Sequence, residues 1–128
     1  MRKAVMGLAT VGLAATTLLV APSGAQAAST SWSSSGLTGV QASGTWYVSG
    51  GRLYVTGRLY DTAGDNKWVR LYVHFKKDCC ALVVDNKNGN NTSVPFTFST
   101  ASTTSGIRVE ELLKSTLASQ EGGWVTIR

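Results

Sequence analysis

The sequence is poor in the residue types that most often carry chemistry. Its 128 residues include two cysteines, two prolines and one histidine, and only 15% of the residues are charged. One histidine and two adjacent cysteines do not supply the four ligands of a structural zinc site. The G-x-S-x-G and H-E-x-x-H motifs of hydrolases are absent. The sequence therefore predicts no catalytic, cofactor-binding or metal-ligating residue and no enzymatic function.

Long apolar runs are also missing after residue 27, and a membrane helix needs about 20 apolar residues. The one such run, Ala4–Val20, follows Arg2 and Lys3 and precedes a small-x-small triplet that ends at Ala27. This order is typical of a secretory signal peptide, so we expect residues 1–27 to be removed and the mature chain to be secreted.

The mature chain of about one hundred residues has the length of a single domain. It carries ten Lys and Arg against seven Asp and Glu, a mildly basic balance. This balance does not make nucleic acid the default partner. We expect no membrane contact once the signal peptide is cleaved.

The first residues of the mature chain, Ala28–Ser43, are rich in Ser, Gly and Thr. Such segments bury little apolar surface to offset the entropy cost of ordering. We therefore predict a flexible N-terminal arm whose apolar residues Trp32, Leu37 and Val40 contact a partner. On this hypothesis, deletion of residues 28–43 leaves the fold intact.

From residue 44 to 128 the pattern predicts an antiparallel β-sandwich of six or seven short strands. Two segments, Arg52–Tyr60 and Lys67–Phe75, alternate between apolar and polar residues. Pro95 lacks an N–H, which predicts an edge strand or a bulge. The segment Glu110–Ser119 is compatible with a helical turn or with a strand that ends and loops out. A final strand is expected at Trp124–Arg128.

If the two alternating segments form one hairpin across the turn at residues 61–66, apolar residues of one strand lie opposite apolar residues of the other, and polar residues lie opposite polar ones. Their outward residues then form one surface of aromatic and basic side chains. Aromatic rings and arginine are enriched at recognition sites, because they offer large contact areas and bidentate hydrogen bonds. The predicted partner-binding residues of this surface are Arg52, Tyr54, Arg58, Tyr60, Trp68, Arg70, Tyr72 and His74.

The adjacent cysteines Cys79 and Cys80 leave three alternatives open. A vicinal disulfide closes almost no loop and brings the Cα atoms closer than an ordinary bridge prefers. Bridges to another chain and reduced thiols are the other two. Asp61 and Asp65 bracket a turn that offers oxygen ligands for calcium, but both residues are also common turn formers, and no calcium site is predicted.

Several short motifs occur in an order that resembles small secreted β-sandwich proteins of filamentous actinobacteria. These motifs are Gly44-Thr45-Trp46, Gly57-Arg58-Leu59-Tyr60-Asp61-Thr62-Ala63, Asp65 and Val69-Arg70-Leu71-Tyr72-Val73, with a looser match at Gly123–Arg128. The resemblance covers roughly Gly44–Phe75. One similar group is the adaptor subunit of umbrella toxin particles, which joins a lectin subunit to the repeat region of a large toxin.

This resemblance implies a secreted, non-catalytic adaptor that acts in competition between bacteria, with lectin-like and toxin-like proteins as partners. Two alternatives remain open. The first is a carbohydrate- or cell-wall-binding module that binds a glycan through Tyr54, Tyr60, Trp68 and Tyr72. The second is an exported enzyme inhibitor that presents the loop Asn86–Asn91. A sandwich fold by itself does not decide among them.

Overall fold

Eight β-strands make up the regular structure of the computed structural model, which describes residues 28–34 and 36–128. They are β1 (Thr30–Ser33), β2 (Val40–Ser49), β3 (Arg52–Asp61), β4 (Trp68–Phe75), β5 (Leu82–Asn86), β6 (Thr92–Thr100), β7 (Ile107–Lys114) and β8 (Ser119–Thr126). The predicted signal peptide at residues 1–27 lies outside the described residues. Within the described part, no helix is long and apolar enough to cross a membrane.

The strands form two antiparallel sheets, in the orders β1-β2-β3-β6 and β5-β4-β7-β8. Their inner faces enclose one hydrophobic core, so the predicted β-sandwich is confirmed, with eight strands rather than six or seven. The prediction for Pro95 is also confirmed, because β6 is an edge strand of its sheet.

Alternation along β3 and β4 determines which side chains enter the core. Leu53, Val55 and Leu59 of β3 are fully buried, as are Val69 and Leu71 of β4. The inward residues predicted from the period of two are therefore confirmed. Each such side chain contributes about 1.5–3 kcal/mol when it leaves water, and the two rows face each other across the sandwich.

The predicted hairpin between β3 and β4 is wrong. Strand β3 pairs with β2 and β6, whereas β4 pairs with β5 and β7 in the other sheet. The connection between them crosses from one sheet to the other. Two backbone hydrogen bonds hold the start of this connection at the end of β3. Thr62 N–H donates to the Gly39 carbonyl (3.0 Å), and Asn91 N–H donates to the Asp61 carbonyl (2.8 Å).

The prediction of a flexible arm at residues 28–43 is also wrong. This segment contains β1 and the start of β2, and Trp32 and Val40 are 7% and 6% exposed. The physical reason is a pair of glycines, Gly44 and Gly57, which lie opposite each other on the inner face of β2 and β3. Gly57 leaves room for the indole of Trp32, which packs against Phe96 with ring centroids 6.0 Å apart, whereas a side chain at Gly44 would collide with the backbone of β3.

A buried carboxylate holds the connection between β1 and β2 against the second sheet. Glu111 is 2% exposed and accepts hydrogen bonds from the Ser34 hydroxyl and from the Leu37 N–H, the latter at 3.1 Å. The Ser34 hydroxyl oxygen also accepts from the Ala42 N–H (3.0 Å). Deletion of residues 28–43 would remove these donors together with β1, so we expect the deletion to unfold the domain.

The ambiguous segment at residues 110–119 follows the second alternative, a strand that ends and turns out of the sheet. Strand β7 continues to Lys114, and β8 begins at Ser119 after a short turn. The β7–β8 register shifts between Glu110 and Leu112, which marks a β-bulge or irregularity. Glu111 points into the core, and Glu110 lies on the outer side opposite Tyr72 and Trp124.

Candidate functional site

The aromatic and basic residues predicted as one surface lie on two opposite surfaces of the sandwich. Because β3 and β4 belong to different sheets, their outward side chains point in opposite directions. We call the outer surface of the first sheet the β3 face, with Tyr47, Arg52, Tyr54, Thr56, Arg58 and Tyr60. We call the outer surface of the second sheet the β4 face, with Trp68, Arg70, Tyr72, His74, Val83, Asp85, Arg108, Glu110 and Trp124.

The centre of the β4 face is a cluster of aromatic rings. Trp124 is 41% exposed, and its ring centroid lies 6.3 Å from that of Tyr72 and 6.2 Å from that of His74. The guanidinium of Arg108 lies 4.4 Å from the Trp124 ring centroid. Arg108 Nε donates to His74 Nδ1 (3.0 Å), so His74 Nε2 carries the proton that is donated to the Asp78 carbonyl (3.0 Å). This network fixes the ring orientations beside an exposed indole.

At the other end of the β4 face, the charged side chains already interact with the Trp68 ring or with each other. The Trp68 ring has Lys87 Nζ at 4.5 Å, Lys114 Nζ at 5.9 Å and the Arg70 guanidinium at 5.1 Å from its centroid. Arg70 also donates two hydrogen bonds to the carboxylate of Asp85, at 2.7 and 3.0 Å. Hydrogen bonding to Asp85 raises the pKa of Arg70 above its ordinary value. This pair is partly exposed, so its contribution to stability is at most about 1 kcal/mol.

The β3 face combines stacked tyrosines with two arginines. The rings of Tyr47 and Tyr54 are stacked with centroids 5.1 Å apart. Arg52 Nε donates to the Ser99 hydroxyl (3.1 Å), and Arg58 Nε donates to the Ser93 hydroxyl (2.9 Å). Tyr60 lies opposite Gln41 and Ser93 in the same sheet. Both arginines are exposed and held in a defined orientation by neighbours on β6.

The three partner-binding residues predicted on the arm are not an independent binding segment. Trp32 and Val40 are buried and belong to the hydrophobic core. Leu37 is partly buried and packs against that core. It lines an open groove of about 410 Å³ above the connection between β1 and β2. The role assigned to Trp32 and Val40 is therefore corrected from partner contact to packing.

The vicinal disulfide is the alternative that the structure contains. Cys79 and Cys80 are bonded to each other, and both are exposed in the loop between β4 and β5. The loop is fastened to its surroundings by Lys77, whose backbone N–H donates to the Ser105 hydroxyl at 3.1 Å and whose Nζ donates to the Thr104 hydroxyl at 2.6 Å. The disulfide therefore lies on an ordered part of the surface.

The acidic turn after β3 is organised by its own backbone. The Asp61 carboxylate accepts from Ala63 N–H (3.3 Å), and the Asp65 carboxylate accepts from Lys67 N–H (3.1 Å). Asp61 is also 1% exposed. Across residues 28–34 and 36–128, no three acidic, histidine or cysteine side chains come together as a metal site.

The loop at residues 86–91 is anchored by a fully buried asparagine. The Asn86 amide donates to the carbonyls of Leu59 (3.3 Å) and Thr92 (3.0 Å) and accepts from the Asn88 N–H (3.0 Å). This anchor ties β5 to both β3 and β6. The hypothesis that the loop inhibits an enzyme stays a prediction.

No protein-family model, curated protein or solved structure matches the chain.

Sequence reasoning missed several residues of these faces. Trp124 and Arg108 on the β4 face and Tyr47 on the β3 face alternate with inward residues, so the period of two places them outward. That signal was available. The cations Lys87 and Lys114 are different, because only the tertiary structure brings them over Trp68.

Proposed function

We propose that the protein is a secreted, non-catalytic adaptor that holds one partner on the β3 face and another on the β4 face. One observation supports this most strongly: the aromatic and arginine residues are divided between opposite outer surfaces of the sandwich. An adaptor needs two surfaces that partners occupy at the same time. Packed sheets lie about 10 Å apart, so partners on the two faces do not collide.

The chemistry of both faces is that of protein interfaces. Tyr, Trp and Arg are enriched at interface hot spots, where they supply large contact areas with few rotatable bonds. The β4 face offers the exposed indole of Trp124, and the β3 face offers the Tyr47–Tyr54 stack. The resemblance to umbrella toxin adaptors suggests the partners, namely a lectin-like subunit and a large toxin-like chain used against competing bacteria.

The experiment is recovery of partners from the native culture supernatant on the tagged mature protein. Tyr54→Ser tests the β3 face and Trp124→Ser tests the β4 face, since both side chains point away from the core. Leu117→Ser is the control, because Leu117 is 95% exposed in the β7–β8 turn and belongs to neither face.

We expect the wild-type protein and the control to recover two partners in stoichiometric amounts. Each face variant should lose one partner and keep the other. Recovery of the protein alone refutes the adaptor, and so does the loss of both partners from a single face variant that is still folded.

A second candidate is a carbohydrate- or cell-wall-binding module, favoured by the ring cluster of Trp124, Tyr72 and His74 on the β4 face. Sugars stack on exposed rings, and Trp124 is the most exposed of these. On this proposal, Trp124→Ala loses at least tenfold in affinity on a glycan array or on purified cell walls. Trp68→Ala loses less, because cations already lie over that ring. Blank arrays and walls would eliminate the candidate.

A further inference from the structure

The two faces differ in how their cations are used. On the β4 face, Arg70 is paired with Asp85, and Arg108 lies against Trp124 and His74. Lys87 and Lys114 lie over the ring of Trp68. These cations are engaged within the protein.

The β3 face has two arginines and no carboxylate. The only acidic residue in β1, β2, β3 and β6 is Asp61, which points into the core. The hydrogen bonds of Arg52 and Arg58 within the described residues involve only Nε. The two terminal nitrogens of each guanidinium remain available to a ligand. A guanidinium held through Nε presents the geometry that binds sulfate, phosphate or carboxylate with two parallel hydrogen bonds.

The two arginines are arranged in the same way relative to β6. Each donates to the serine diagonally across the strand pair, Arg52 to Ser99 and Arg58 to Ser93. They are six residues apart on β3, which corresponds to about 20 Å along the strand. A single small anion does not span this distance, whereas a linear chain with repeated anionic groups does.

The surface between the arginines is rich in hydroxyl groups. A row of hydroxyl side chains crosses all four strands, formed by Ser31, Thr45, Thr56 and Thr97. The stacked ring of Tyr54 lies beside this row. Hydroxyls that both donate and accept hydrogen bonds, next to an aromatic ring, suit the hydroxyl groups and apolar faces of a sugar chain.

We infer that the β3 face binds an anionic polysaccharide whose chain runs along β3, with one sulfate or phosphate group on Arg52 and another on Arg58. This inference rests on the proposed function, which assigns the β3 face to a separate partner, and it adds that this partner presents an anionic glycan chain to the face. Charge complementarity supports it, because the face carries two cations and no anion.

The test compares dextran sulfate and phosphorylated dextran with neutral dextran of the same length, by biolayer interferometry on the mature protein. We expect both anionic polymers to bind and neutral dextran to bind at least tenfold more weakly. The tighter of the two anionic polymers identifies the group that the guanidiniums prefer. A fourfold rise in salt should weaken binding by roughly eightfold if two anionic groups are held.

Arg52→Gln and Arg58→Gln should each lose roughly tenfold in affinity, and the double variant should lose about a hundredfold. Lys76→Gln is the matched control, because it removes the same charge from an exposed loop away from the face and should bind as the wild type. Unchanged urea midpoints show that the variants are folded. Arg52→Lys and Arg58→Lys keep the charge but lose the planar guanidinium that donates two parallel hydrogen bonds. Their affinity should therefore lie between those of the Gln variants and the wild type.

Three results overturn the inference. The first is equal binding of neutral and anionic dextran, and the second is wild-type affinity of the double variant. The third is tighter binding of a single-stranded polynucleotide than of either anionic dextran, which makes nucleic acid the occupant. If dextran sulfate does not bind but Tyr54→Ser still loses a captured partner, the polysaccharide inference fails and the adaptor stands. If the anionic polymers bind but the protein captures no partner, the adaptor proposal fails and the polysaccharide inference stands.

Discussion

Replacement of Trp32 decides whether the N-terminal segment is part of the core or a docking arm. The indole is 7% exposed, packs against Phe96 and lies next to Gly57, which has no side chain. Truncation of a buried tryptophan to alanine costs about 3–5 kcal/mol, from lost apolar burial and from the cavity left behind. With an m-value near the lower end for small domains, the urea midpoint of Trp32→Ala should fall by about 2–4 M.

A second substitution tests the polar part of the same side chain. Trp32 Nε1 is buried and donates to no acceptor within the described residues. An unpaired buried donor costs about 1–3 kcal/mol. Trp32→Phe removes this donor and keeps most of the ring contact, so its free energy of unfolding should stay within about 1 kcal/mol of the wild type.

The assay is urea unfolding of a protein of residues 28–128 followed by far-UV circular dichroism, with Leu117→Ala as the exposed control. If the midpoint of Trp32→Ala stays within about 0.5 M of the wild type, a shift of under about 1 kcal/mol, the core role of Trp32 is refuted and a free arm returns. If the midpoint of Trp32→Phe falls as far as that of Trp32→Ala, the unpaired N–H of Trp32 does not destabilise the folded protein.

Three further predictions use the same unfolding assay. Ser34→Ala should cost about 1–3 kcal/mol, because one buried oxygen of Glu111 loses its donor; an unchanged midpoint would contradict that role. Gly57→Ala should lower the free energy of unfolding by about 1–3 kcal/mol or more, because the added Cβ overlaps a carbonyl oxygen of β2 and contacts two buried rings too closely. A stabilised variant would contradict the packing described. Reduction of the Cys79–Cys80 disulfide should change the free energy of unfolding by about 1 kcal/mol or less, since adjacent cysteines close almost no loop; a shift of several kcal/mol would show that the bridge holds the fold together.

The candidate site shows where sequence reasoning succeeds and where it stops. Alternation correctly placed Tyr54 outward on β3 and Tyr72 outward on β4, because side chains of a strand alternate with a period of two. It did not determine that these two residues lie on opposite surfaces. The same alternation of apolar and polar residues fits two strands that are neighbours in one sheet and two strands that face each other across a core.

The prediction of a flexible arm at the N-terminal segment was wrong for a different reason. Its Ser- and Gly-rich composition resembles that of a linker, and composition averages over positions. The outcome depends on a few specific contacts made by residues far away in the sequence. These are the space above Gly57 for the side chain of Trp32, and the carboxylate of Glu111 for the backbone N–H of Leu37.

The sequence by itself determined the all-β class and the inward and outward side of β3 and β4, because both follow from local alternation and turn chemistry. Only the tertiary structure decided which strands pair, that residues 28–43 contribute β1 and the start of β2 rather than an arm, and that the aromatic and basic residues form two faces. Strand pairing depends on long-range contacts and on the path of the connections between sheets, and no local pattern encodes either of them.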